Sequence, residues 1–280
     1  MKKTLAILLS LAFCMTAFAQ AQVNVSITTK KDKLADFPMK TMKVVLSGNE
    51  FIDEPLRDAV KNTWSISPFE FCDMDEFNAL KTSQDYYFMI VVKTTGRKEN
   101  RPGISTIDIL KGGHENIGDM LEVISMPLCS STFSSGFEAA FMPAILDIMQ
   151  SYIDWSLLEG FKGIQSVMSK LSDISGKTLI LSRDDISEKV SEKFLEKNVN
   201  ENIIICDAET AAGAMETNRE NTVVGYVVAP YEPDSGSSCY LMLFDTCTHE
   251  LYYFRKYKIS DSAGFTTKDL SKIFSARNKR

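Results

Sequence analysis

Histidine is nearly absent from this chain: only His114 and His249 occur in 280 residues. Imidazole is the usual general base and a common metal ligand, so either chemistry would have to be built around these two positions. Cysteine is sparse too. Six occur and none forms a C-x-x-C pair, which argues against a structural zinc site. There is no H-E-x-x-H motif, because Tyr253 stands where the second histidine would follow His249-Glu250. A G-x-S-x-G elbow and a G-x-G-x-x-G turn after a strand are also missing. Ser175-Gly176-Lys177-Thr178 has the ending of a phosphate loop, but Leu171 holds the place of its first glycine. A strand is expected after it, where phosphate binding needs a helix N-terminus. Beyond the tail Arg277-Asn278-Lys279-Arg280 there is no basic cluster, and the net charge is −6. Nucleic acid and anionic lipid are poor partners for such a chain. After the N-terminal segment no apolar run reaches 18 residues, so no later membrane span is expected.

What is present begins with an export signal. Lys2 and Lys3 precede an apolar run ending in Ala17-Phe18-Ala19. This pattern predicts a signal peptide over 1–19 and a periplasmic or secreted protein. Phe13 is too large for the position before a lipid-bearing cysteine, so Cys14 is expected to leave with the signal. Loss of Lys2 and Lys3 takes the charge from −6 to −8. Cys72, Cys129, Cys206, Cys239 and Cys247 remain. Their odd number leaves at least one thiol unpaired within the chain, and sequence does not give the pairing.

The body of the chain repeats itself. KLADFPMKT at 33–41 is echoed by KLSDISGKT at 170–178, FEFCD at 69–73 by IIICD at 203–207, and SSGF at 134–137 by SAGF at 262–265. The two His-Glu pairs fall in the same series. Four matches in one order, at slowly drifting offset, predict a tandem duplication.

Periodicity agrees. In the first copy strands are expected over 42–47, 69–71, 86–93, 104–110 and 120–125, with helices over 51–64, 74–80 and 137–152. Pro55 is placed in the first turn of its helix, where a missing N–H costs little. In the second copy strands are expected over 177–182, 202–206, 223–229, 240–245 and 251–259, with helices over 185–197, 208–217 and 265–276. The fold class is α/β: two tandem homologous β-α-β-α-β-β-β-α domains, each a mixed sheet covered by helices. The domains are expected over 20–157 and 158–280, with a helical connector over 154–175.

No catalytic, cofactor or metal residue is assigned from sequence. Each His-Glu pair is expected at the hairpin turn of its own copy, as a turn residue. The sharper alternative is one interface site using His114, Glu115, His249 and Glu250. Cys72 and Cys206 end apolar strands and are expected to be buried. Cys247 is two residues from His249, too close along a turn to presume a nucleophile–base pair. The rings of Tyr86-Tyr87-Phe88 and Leu251-Tyr252-Tyr253-Phe254 are expected to pack within the sheets, with a tyrosine-rich binding face as the alternative.

Taken together, KLADFPMKT, WSISPFEFC, DYYF, LKGGHE and the VVAP…SSCY…LYYFRK…KIS run resemble a group of secreted proteins from Bacteroidetes-type bacteria. The resemblance covers essentially the whole chain after the signal. It implies a Gram-negative envelope setting and transfers no activity, cofactor or catalytic residue. The element order is also similar to that of envelope adaptor domains such as the N-terminal domain of TolB. The expected function is a non-catalytic binding or scaffold protein with an envelope or other extracytoplasmic partner. The alternatives are a hydrolase or a small-ligand carrier with a site at the domain interface near His114 and His249.

Overall fold

The structure, a computed structural model, describes residues 26–27, 31–95, 101–158 and 170–278. The expected signal peptide and residues 159–169 of the expected connector lie outside these.

The described residues form two mixed sheets. The first holds β1 (Ser26–Ile27), β2 (Met42–Val45), β3 (Phe69–Cys72), β4 (Tyr87–Thr94), β5 (Ile104–Lys111) and β6 (Leu121–Ser130), in the order β1-β6-β5-β4-β2-β3. The second holds β7 (Thr178–Ser182), β8 (Ile203–Cys206), β9 (Thr222–Val228), β10 (Ser238–Asp245) and β11 (Leu251–Lys258), in the order β11-β10-β9-β7-β8. Without β1 the two orders are the same, and so are the pairing senses: parallel among the first three strands, antiparallel among the last three. Register agrees as well. Met42 faces Phe69 and Tyr87, while Leu179 faces Ile203 and Val223.

Helices cover both sheets. α1 (Lys31–Leu34) precedes the first repeat. α2 (Glu50–Thr63) starts at Asn49, whose side chain accepts from the Phe51 N–H, and buries Ile52, Leu56, Ala59 and Val60 on one stripe. Pro55 lies at the sixth residue of α2, past the first turn where it was expected. It cannot donate to the Phe51 carbonyl. Phe51 is 81% exposed, so water has access to that end of the helix. α3 (Met74–Leu80) is capped by Asp73 and α6 (Ala208–Glu216) by Asp207, each carboxylate accepting the N–H three residues on. α4 (Glu138–Leu158), α5 (Glu192–Asn198) and α7 (Thr267–Arg277) complete the set.

The helix expected over 185–197 is a correction. A 3-10 turn covers Arg183–Asp185, an isolated bridge at Ile186 and a turn closed by the Val190 N–H to the Ser187 carbonyl follow, and α5 begins only after Ser191. The reason is competition for the backbone. The Ser187 N–H donates to the Phe265 carbonyl, and the Phe265 N–H donates to the Asp185 carbonyl, so this stretch pairs with the entry to α7.

Strand alternation sets the layers. Val44, Tyr87 and Met89 face α2 and α4, while Val45, Phe88 and Ile90 face Phe77 of α3. In the second sheet Val224, Met242 and Phe244 face α4 and α6, while Leu179, Leu181 and Leu243 face Leu195 of α5 and Leu270 and Ile273 of α7. α4 is buried nearly all round and its apolar side chains belong to a core continuous with both sheets. Phe141 of α4 stacks on Tyr226 of β9 with ring centroids 4.1 Å apart. The α4-bearing face of the first sheet thus meets the α6-bearing face of the second. This is a head-to-tail stack, since equivalent faces do not meet.

Candidate functional site: an acidic cleft between the sheets

His249 sits in the turn between β10 and β11 with φ +56°, a left-handed conformation that histidine tolerates better than most residues. Asp245 builds that turn. Its carboxylate accepts the N–H groups of Cys247 and Thr248, both at 2.9 Å, and the Lys177 ammonium at 2.9 Å. Burial alone would raise this carboxyl. The Lys177 and backbone hydrogen bonds outweigh burial and hold it below its ordinary value.

The turn delivers His249 across to the first domain. Its Nδ1 lies 2.5 Å from Asp147 Oδ2 on α4. Asp147 Oδ1 accepts from Gln150 Nε2 at 2.6 Å, and the same Nε2 donates to the Thr63 carbonyl at the end of α2. The carboxylate is therefore fixed from its own helix and favours the tautomer with the proton on Nδ1. Beside this pair opens a cleft of about 720 Å³ between α2, α4 and α6. Its walls carry the charged or titratable side chains of Glu54, Asp58, Asp147, Glu216 and His249, with Asn62, Thr63 and Asn218 beside them, and among the described residues no lysine or arginine lines it.

A histidine oriented by a carboxylate is two-thirds of a nucleophile-activating triad. The third member is not found among the described residues. Among the described residues no serine, threonine or cysteine side chain hydrogen-bonds His249, and exposed Cys247 directs its sulfur 3.1 Å from the Asn218 carbonyl. No group of three or more His, Cys, Asp or Glu among the described residues is placed to hold a metal.

His114 is elsewhere. Its exposed turn is anchored by Gly112 N–H to the Tyr86 carbonyl at 3.0 Å and Gly113 N–H to the Lys81 carbonyl at 2.9 Å. A Cβ at Gly112 would meet the Ser83 carbonyl at 2.1 Å, so only glycine fits there. Lys81 caps α3, on the opposite face of the first sheet from α4. Glu115 is exposed, and Glu250 accepts from Lys170 and Tyr252. The structure therefore does not join the two His-Glu pairs in one site. His249 alone reaches the interface, and its partner is Asp147.

All five described cysteines are free. Burial pushes the thiols of Cys72 and Cys239 up to about 11 and that of Cys129 up to about 12, which leaves them inert. Cys72 and Cys206 end equivalent strands opposite Val45 and Ser182. Tyr87, Tyr252 and Tyr253 are buried, as expected of rings packed within the sheets rather than forming a binding face.

Sequence reasoning missed Asp147, Asp58, Glu54 and Glu216. One signal was available: Asp147 interrupts the mostly apolar run 139–149 of α4. No family model, curated protein or solved structure matches the chain, so the site rests on its geometry. Among the described residues no helix is long and apolar enough to cross a membrane.

Proposed function

We propose that this chain is a non-catalytic extracytoplasmic binding protein, periplasmic or secreted, derived from a duplicated α/β unit. Its ligand site is the cleft between the sheets, and the ligand is a small organic cation. The observation carrying this reading is the cleft itself, about 720 Å³ with four carboxylates and, among the described residues, no lysine or arginine on its walls. That volume suits a small molecule. Carboxylates facing a shared cavity repel one another, and a ligand carrying ammonium groups relieves this while accepting short charge-assisted bonds. The rigid His249–Asp147–Gln150 chain supports a preformed wall. Among the described residues no serine, threonine or cysteine side chain hydrogen-bonds His249, which favours binding over nucleophilic catalysis.

The test is calorimetric titration of spermidine into the chain lacking residues 1–19, at low salt. Saturable one-to-one binding is expected, weakened at least tenfold by Asp58→Asn with Glu216→Gln. Absence of heat, or heat unchanged in that variant, would overturn the cleft as the ligand site.

A further inference from the structure

The outer edge of β11 differs from its counterpart in the first sheet. The Ile259 N–H donates to the Ser237 carbonyl at 2.8 Å, and Ser238, Tyr240 and Met242 face Lys258, Lys256 and Phe254. Antiparallel ladders alternate. Tyr253, Arg255 and Tyr257 therefore turn their backbone groups toward β10, while Phe254, Lys256 and Lys258 turn theirs outward. No strand among the described residues pairs with that edge.

The equivalent edge in the first sheet is β6, and it carries an added strand. β1 pairs with it antiparallel, Ser26 opposite Ser125 and Ile27 opposite Ile124. Asp108 faces Ser125 as Met242 faces Phe254, and Thr106 faces Pro127 as Tyr240 faces Lys256. Ser125 is thus the counterpart of Phe254, and Pro127 of Lys256. Proline has no N–H to offer an incoming strand and marks an edge closed at that point. At Lys256 the edge keeps its donor.

Side chains indicate what would be accepted. Lys256 and Lys258 are exposed. Lys256 Nζ lies 5.0 Å above the Tyr240 ring, and Lys258 Nζ donates to Ser238 Oγ at 2.8 Å. Neither pairs with a carboxylate among the described residues. Edge lysines discourage pairing with another copy of the same strand. Opposite an acidic side chain they become favourable cross-strand partners.

We propose that the β11 edge is a docking site for an extended acidic segment of a partner protein, which adds as an antiparallel strand along Phe254–Lys258. The added strand β1 on β6 is the precedent within the same molecule. The site is separate from the cleft.

The probe is a fluorescein-labelled peptide of four Val-Glu repeats, followed by anisotropy with the chain lacking residues 1–19. Saturable binding is expected, with slowed amide exchange at Phe254, Lys256 and Lys258. Lys256→Pro installs the residue that the first sheet tolerates and removes one outward donor without touching a bond to β10. It should weaken binding at least tenfold, as should N-methylation of alternate peptide residues. Lys256→Glu, which keeps the N–H, should weaken it similarly and reads the charge should the proline variant fail to fold. Asp58→Asn with Glu216→Gln should leave it unchanged. No binding, binding insensitive to N-methylation, or a dimer that already protects these amides and is dissociated by Lys256→Pro would each overturn the proposal.

Discussion

At equivalent strand positions the first sheet carries Ile90, Asp108, Leu110 and Ser125, and the second carries Tyr226, Met242, Phe244 and Phe254. Strand order and register are the same, yet the chemistry differs. In the second sheet this face receives α4, and its side chains are large and apolar. In the first sheet the same face looks away from α4, and a carboxylic acid stands where Met242 would. The closing helices diverge in the same way. α4 lies between two sheets and is buried over most of its circumference, whereas α7 buries Leu270, Ile273 and Phe274 and exposes Lys268, Ser271 and Lys272. Even a shared ion pair is reversed. In the first domain Lys111, at the end of β5, meets Asp36 in the segment entering β2; in the second Asp245, at the end of β10, meets Lys177 in the segment entering β7. Backbone pairing preserves a topology, while the neighbour stacked on each face decides its side chains.

The comparison breaks most severely at the inner helix. Phe141→Ala removes the ring stacked on Tyr226 and near Phe244, and should cost about 3–5 kcal/mol. Lys272→Ala, on the outward side of α7, should stay within about 0.5 kcal/mol. Urea unfolding of both variants checks this, and equal losses would refute the asymmetry between α4 and α7.

A smaller effect is expected at Asp108, and it depends on pH. Burial pushes this carboxyl up to about 6, against the hydrogen bonds from Ser125 and Thr106. The folded value then lies above the unfolded one, so ionisation opposes folding. The penalty is absent below about pH 4, grows as pH rises through 6, and is complete above it. Asp108→Asn should therefore stabilise by about 1–3 kcal/mol at pH 7 and be neutral at pH 3.5. A variant that is destabilising at pH 7 would mean that the ionised carboxylate is needed there.

The smallest contrast separates the two histidines. His249→Asn loses the bond to Asp147 but keeps a residue suited to left-handed backbone, and should cost about 1 kcal/mol. His114→Asn, in an exposed turn, should cost under about 0.5 kcal/mol. Comparable melting temperatures for both would remove the interface role given to His249.

Much of the fold was legible because it depends on local patterns. Asp73 and Asp207 announced helix starts, and the continuous apolar run of β4 announced a strand covered on both faces. The echo of 33–41 in 170–178 announced two units. The 3-10 turn at Arg183–Asp185 was not legible, because the entry to α7 takes the backbone bonds that a helix would need. Asp147 gave one weak sign, an acid in an apolar helix, but its partner lies 102 residues away. The sequence by itself determined the two α/β units, their strand directions and the turns holding the histidines, since periodicity, capping and register act over short stretches of chain. Only the tertiary structure decided that the units stack head to tail, that His249 alone reaches the interface, and that four carboxylates line one cleft, since these follow from which faces meet and no local pattern records that.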